Sequence, residues 1–177
     1  MFTASPKVFV SSTCYDLNII RAELRSFMLD LGYEPQMSDF SDILFDPRLH
    51  THSSCLQDVG SCDMLLLIVG SRYGGQAVPK SLEIIDFERL REASSDQEII
   101  KNKSSISVTQ LEVLRAIQLG IPVFSFVDAG VMNDHFTYEK NKAKPILNEI
   151  EFPHIEKQET ARYIFGSSCK RVGKNEP

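Results

Sequence analysis

Residues 107–127, SVTQLEVLRAIQLGIPVFSFV, read as a helix, a tight turn and a strand, and the rest of the chain is arranged around them. Ser107 suits an N-cap, and Gln110 three positions on completes a capping box. Ile106 and Leu111 stand where a hydrophobic staple would fix the helix start. Gly120 supplies the left-handed residue that commonly closes a helix, and Pro122 keeps the helix from resuming. Val123, Phe124, Phe126 and Val127 predict a strand apolar on both faces, as in the parallel sheets of α/β proteins.

On a helical wheel Val113, Leu114, Ala116 and Ile117 share a broad apolar side. Glu112 and Arg115 fall opposite, which turns Glu112 away from the core and toward the positive end of the helix dipole. Two readings of Glu112 follow. It is a surface partner of Arg115 at i, i+3, contributing about 0.2–0.5 kcal/mol, or it faces a ligand at the edge of a sheet.

Upstream, Lys7–Val10 (KVFV) predicts the first and central strand. Ser11, Ser12 and Thr13 follow it. Asp16 then opens a helix with Leu17, Ile20, Leu24, Phe27 or Met28, and Leu31 at helical spacing, and Gly32 as its cap. In an open parallel sheet, ligands bind outside the carboxyl ends of the strands. The Ser11–Thr13 turn stands at that edge, where its hydroxyls either meet a phosphate or ribose or only cap the turn. Residues 33–37 predict a second strand, placed at an edge by Pro35. Residues 38–52 read as a polar loop carrying Asp39, Phe40, Asp42, Phe45 and Asp46. A short helix over 53–61 leads into Met64–Val69 (MLLLIV), the most apolar run and a central strand. Gly70-Ser71-Arg72-Tyr73-Gly74-Gly75 follows, and such a turn suits close approach of a ligand: Arg72 for a phosphate or carboxylate, Tyr73 for stacking on a base.

Residues 76–106 form a long insertion, with a helix expected over 86–93 and a mobile stretch over 94–105; a lid and a disordered excursion both fit its length. Beyond Val127, residues 138–151 are moderately helical, and 166–177 read as a polar tail or linker after a single domain over 1–165.

Composition sets broad bounds. A chain of 177 residues with 42% hydrophobic and 24% charged residues is one ordinary globular domain. A net charge of −5 argues against nucleic acid as the main partner. No apolar run has the length of a membrane span, and MFTASPKVFV lacks the layout of a signal peptide. Cys14, Cys55, Cys62 and Cys169 include no C-x-x-C pair, so scattered reduced thiols in a cytoplasmic protein are expected. His50 and His52 sit in a polar stretch and are expected to face solvent, with no metal site. No glycine-rich phosphate loop occurs.

The element order predicts a flavodoxin-like open, mostly parallel sheet of about five strands with helices on both faces. Three stretches, KVFVSSTCYDLNIIRAEL, CDMLLLIVGSRYGG and SVTQLEVLRAIQLGIPVFSFV, go further and resemble the DUF4062 family over Lys7–Val127. That family looks like a relative of the TIR domain and of nucleoside 2-deoxyribosyltransferases, and it is often found at the N-terminus of larger NTPase-containing receptors, some linked to bacterial antiviral defence. The resemblance implies a TIR-like domain in which Glu112 matches the glutamate that attacks or stabilises the ribosyl carbon. It matches Ser11 and Ser12 to the loop lining the nucleotide site, and Arg72 and Tyr73 to the turn after the third strand. Thr13 lies in the same turn as the two serines. With no tryptophan present, a stacking aromatic must be Tyr or Phe, which adds Phe40 to the candidates. The 76–106 insertion and the lack of a large apolar C-terminal element depart from the family pattern.

The function expected is that of a TIR-like nucleotide-processing effector, an NAD glycohydrolase in a defence or signalling system, with NAD as substrate and no cofactor. Self-association or a larger receptor assembly is expected with it. The alternative is a non-enzymatic binding or oligomerisation module that senses a nucleotide or a partner protein. A deoxyribosyltransferase is a third reading, for which no separate substrate-specifying acidic motif is visible. The sequence does not decide between the first two, because the fold does not settle activity.

Overall fold

Alternate residues of a strand point to opposite faces, and in the computed structural model of the protein the two apolar runs use both. The structure describes residues 4–40, 42–43, 50–93, 103–161 and 164. Strands β1 (Lys7–Ser11) and β3 (Met64–Val69) are the inner pair, parallel, with Phe9 opposite Leu65 and Ser11 opposite Leu67. On one face Val8 and Val10 pack with Met28 of helix α1 (Asn18–Asp30) and with Met37. On the other, Phe9, Leu65 and Leu67 meet Cys55 and Val59 of α2 (Thr51–Val59) and Ala116 of the helix beginning at Val108.

The sheet has four strands, not the expected five, among the described residues. Its order is β2-β1-β3-β4, with β2 (Glu34–Gln36) and β4 (Val123–Val127) at the edges and every pairing parallel. This corrects the reading of Val123–Val127 as buried on both faces. Phe124 is 52% and Phe126 60% exposed, because among the described residues β4 pairs only with β3, and α1 lies over the β1 side of the sheet. An edge strand and an inner strand can carry the same apolar run, so its composition alone misleads.

Helix α1 starts two residues later than Asp16, and its stripe is only partly buried. Leu17 and Met28 are buried, whereas Ile20, Phe27 and Leu31 are exposed. Gly32 follows with φ +82°, the left-handed stop expected there.

The described part of the insertion is packed rather than extruded. Helices α3 (Pro79–Leu82) and α4 (Phe87–Ala93) place Ile85, Phe87 and Leu90 against Leu56, Ile106 and Leu111 as a second core. Its ends are clasped by an antiparallel bridge between Gln76 and Ser107, with Ala77 N–H donating to the Ile106 carbonyl (2.9 Å) and Val108 N–H to that of Gly75 (2.8 Å). Residues 103–105 form a 3-10 turn, and the rest of the stretch expected to be mobile, 94–102, lies outside the described residues, as does the 166–177 tail.

Helix α5 (Val108–Leu119) has the anticipated capping box and ends at Gly120 with φ +72°. Helix α6 (Ala129–Asn141) begins nine residues before the helix read from the sequence. The signal for that earlier start is Asp128, a cap that accepts from Gly130 and Val131 N–H. Val131 then joins Phe152, Ile155, Ala161 and Ile164 in a third cluster beside Val69 and Val127.

Candidate functional site

Glu112 lies where α5 meets the carboxyl end of β1, and its position corrects the wheel. The buried residues of α5 are Leu111, Glu112 and Ala116, while Ile117 is exposed. Ala116 and Glu112 are one helical turn apart and share a row. The alanine lets the helix lie close to the sheet, and the glutamate then reaches the carboxyl end of β1. The residue is 7% exposed, and its carboxylate accepts from the Ser11 hydroxyl through Oε2 at 2.6 Å. Among the described residues it has no ion pair with Arg115, whose Nε is buried without a partner.

Burial pushes the Glu112 carboxyl up to about 7, against the opposing pull of the Ser11 hydrogen bond and the Arg21 charge. Oε1 carries no hydrogen bond to the described residues.

Arg21 is a site residue that the sequence reading passes over, although the signal for it is present. It lies on the inner row of α1 with Leu17, Leu24 and Met28, at the i, i+4, i+7, i+11 positions. A cation in such a row must be paired. It is 1% exposed, donates to Ser12 Oγ through Nη1, and grips Asp39 with Nε (2.8 Å) and Nη2. Burial works against its charge, but the Asp39 hydrogen bond and field prevail and its pKa is raised. Asp39, part-buried, would by burial alone ionise less readily, yet Arg21 holds it below the usual range. Ser11 and Ser12 thus join two polar units, the Glu112 carboxyl and the Arg21–Asp39 pair, at one strand end.

Other anticipated residues take different duties. Thr13 bonds Asp16, whose carboxylate packs against Gly70; a Cβ there would come within 2.6 Å of Asp16 Oδ2. The glycine is therefore needed for internal packing. Tyr73 has a structural duty that the stacking expectation does not include. Its hydroxyl sits between the Ser105 carbonyl and the Gln110 side chain and accepts from Ser107 N–H at 3.1 Å, so it braces the start of α5. Arg72 pairs with Glu156 (2.6 Å) and lies 5.3 Å over the Tyr15 ring. Phe40, on the surface, sits under the Arg25 guanidinium. His50 is an exposed helix cap, whereas His52 is half-buried and accepts from Val78 N–H, a correction to the solvent-facing reading.

A groove of about 630 Å³ opens beside this cluster, over the carboxyl ends of β3 and β4. Leu17, Ile20, Ile68, Phe126, Val131 and Ile155 give it apolar walls. Its three carboxylates are engaged, Asp16 by Thr13, Asp128 by the α6 start and Glu156 by Arg72. Glu112 does not line it. Among the described residues no group of three His, Cys, Asp or Glu side chains is placed to hold a metal ion, and no helix is long and apolar enough to cross a membrane.

A parallel α/β sheet with a buried carboxyl at the end of its first strand defines the class. Within that class the chain belongs to the DUF4062 family, a domain of unknown function whose model matches residues 7–166. Neither the curated proteins nor the solved structures contain a match to it.

Proposed function

We propose that this protein is a TIR-like nucleotide-processing effector that cleaves the N-glycosidic bond of NAD, with Glu112 as the catalytic carboxylate. The observation that carries the reading is the buried Glu112 carboxyl at the carboxyl end of β1, tuned to about 7 and bonded through one oxygen to Ser11. Functional sites are where such shifts collect. The resemblance to ribosyl-transferring relatives points to the same residue.

In the reaction the bond between C1′ and the pyridinium nitrogen breaks, and its electron pair goes to the ring, releasing neutral nicotinamide. The ribosyl carbon passes through an oxocarbenium-like state that an ionised carboxylate stabilises. Water then adds to C1′ and loses a proton. Ser11 fixes one Glu112 oxygen and leaves the other for the sugar. Because Glu112 works ionised, turnover rises with pH through about 7.

The test is release of nicotinamide from NAD, followed at low and at high protein concentration so that a requirement for assembly is seen directly. Glu112→Gln is expected to reduce release by a factor of at least ~100. Equal release from both proteins removes Glu112 from the mechanism.

Two observations favour a second reading. Glu112 stands outside the 630 Å³ groove, and Arg72 and Tyr73 are held by internal contacts. In that reading the domain is a binding module and Glu112 is structural. NAD binding without nicotinamide release in the wild type distinguishes it.

A further inference from the structure

Residues 123–127 of β4, Val-Phe-Ser-Phe-Val, read the same in both directions. This strand is an edge of the sheet and pairs, among the described residues, with β3 alone. Phe124 and Phe126 are exposed on one face and Ser125 on the other, and no described residue pairs with the outer flank. The strand has none of the usual guards of an edge, neither a charged side chain nor a proline within it.

We propose that two copies of this chain associate through β4, edge to edge, about a two-fold axis at Ser125. Two copies joined by the same edge must run antiparallel. In that register Val123 faces Val127 of the second copy, Phe124 faces its Phe126, and Ser125 faces Ser125. Every facing pair is then matched in type, and two cross-strand aromatic pairs form on one face. The four-stranded sheets join into one of eight strands. Antiparallel pairing also separates the two Asp128 carboxylates by ~20 Å along the strand, beyond the Debye length at physiological salt.

The area sets the strength. A phenylalanine side chain carries roughly 200 Å², so Phe124 and Phe126, 52% and 60% exposed, offer about 220 Å² together. That is about a quarter of the ~800 Å² each partner gives to a standard interface. The strand edge and its flanks add to it, and the dimer is a weak, reversible one. This inference does not rest on the glycohydrolase reading, and its test measures association rather than NAD cleavage.

Sedimentation velocity across a concentration series is expected to show a monomer–dimer equilibrium. Phe124→Lys, at an exposed site that leaves the core intact, should raise the midpoint concentration at least tenfold. Mild oxidation of Ser125→Cys locates the axis. Directly opposed residues lie within the Cα range of a disulfide, whereas two copies of residue 127 are ~14 Å apart. Ser125→Cys should cross-link well above the wild-type background, and Val127→Cys should not. A chain that stays monomeric at several hundred micromolar, a midpoint unmoved by Phe124→Lys, or equal cross-linking at both positions would overturn the proposal. Circular dichroism confirms that each variant is folded.

Discussion

Replacing Glu112 by glutamine should change how the protein's stability depends on pH, whatever the substrate proves to be. The carboxyl ionises at about 7 in the folded state, against an ordinary value of 4.5. Its neutral form is therefore the one the fold favours. Below about 4.5 it is protonated in both folded and unfolded states and contributes no slope. Between 4.5 and 7 the unfolded chain gives up the proton and the folded protein keeps it, so stability falls as pH rises. Above 7 the loss is complete. Each pH unit between the two ionisations is worth about 1.4 kcal/mol, so the whole loss is on the order of 3 kcal/mol. Glutamine preserves the size and an acceptor for Ser11 but does not titrate. Any cost of placing its amide is the same at every pH. Urea unfolding of both proteins at pH 5 and pH 8 should show the wild type losing about 2.5 kcal/mol more than the variant, since part of the loss is already present at pH 5. The two losing stability in parallel would mean that Glu112 is not buried with a raised pKa, and the geometry of the site would be wrong.

Arg21→Met should cost about 3 kcal/mol, because it leaves Asp39 without its partner and takes the donor from Ser12. In urea titrations Arg21→Met/Asp39→Leu should recover part of that loss, and strictly additive effects would refute the pairing. Gly74→Ala puts a Cβ 2.8 Å from Thr109 Oγ1, at the start of α5, and should cost about 1–3 kcal/mol. Thr109→Ala added to it should relieve most of that cost in thermal melts, and no relief would place the strain elsewhere.

The local signals along the chain are legible where a residue's conformation decides its role. Ser107, Gln110 and Gly120 bound α5 as read, and KVFV and MLLLIV pair as neighbouring inner strands. What stays hidden depends on neighbours that no short window contains. Phe124 and Phe126 look like core residues until the strand order places them at an edge. Glu112 looks like a surface residue on a wheel centred on Val113, Leu114 and Ile117, whereas the side that is buried is the one marked by Leu111 and Ala116. Arg21 and Asp39 are distant in sequence and meet only once α1 is laid over β1. The apolar positions thus reveal the class of fold, and the polar residues of the site require the fold itself.

The clasp between Gln76 and Ser107 has a consequence for how this chain can vary. It pins the two ends of the connection together before α5 begins. The entropy of closing such a loop grows only with the logarithm of its length, by about 0.6 kcal/mol for each doubling. Sequence added or removed beyond the Ile85–Leu90 cluster would therefore barely alter the free energy of folding. Nor would it shift the register of α5, whose first turn is fixed on the sheet side of the clasp. The connection is a position where length is nearly neutral, beside a helix where a one-residue slip would carry Glu112 away from Ser11.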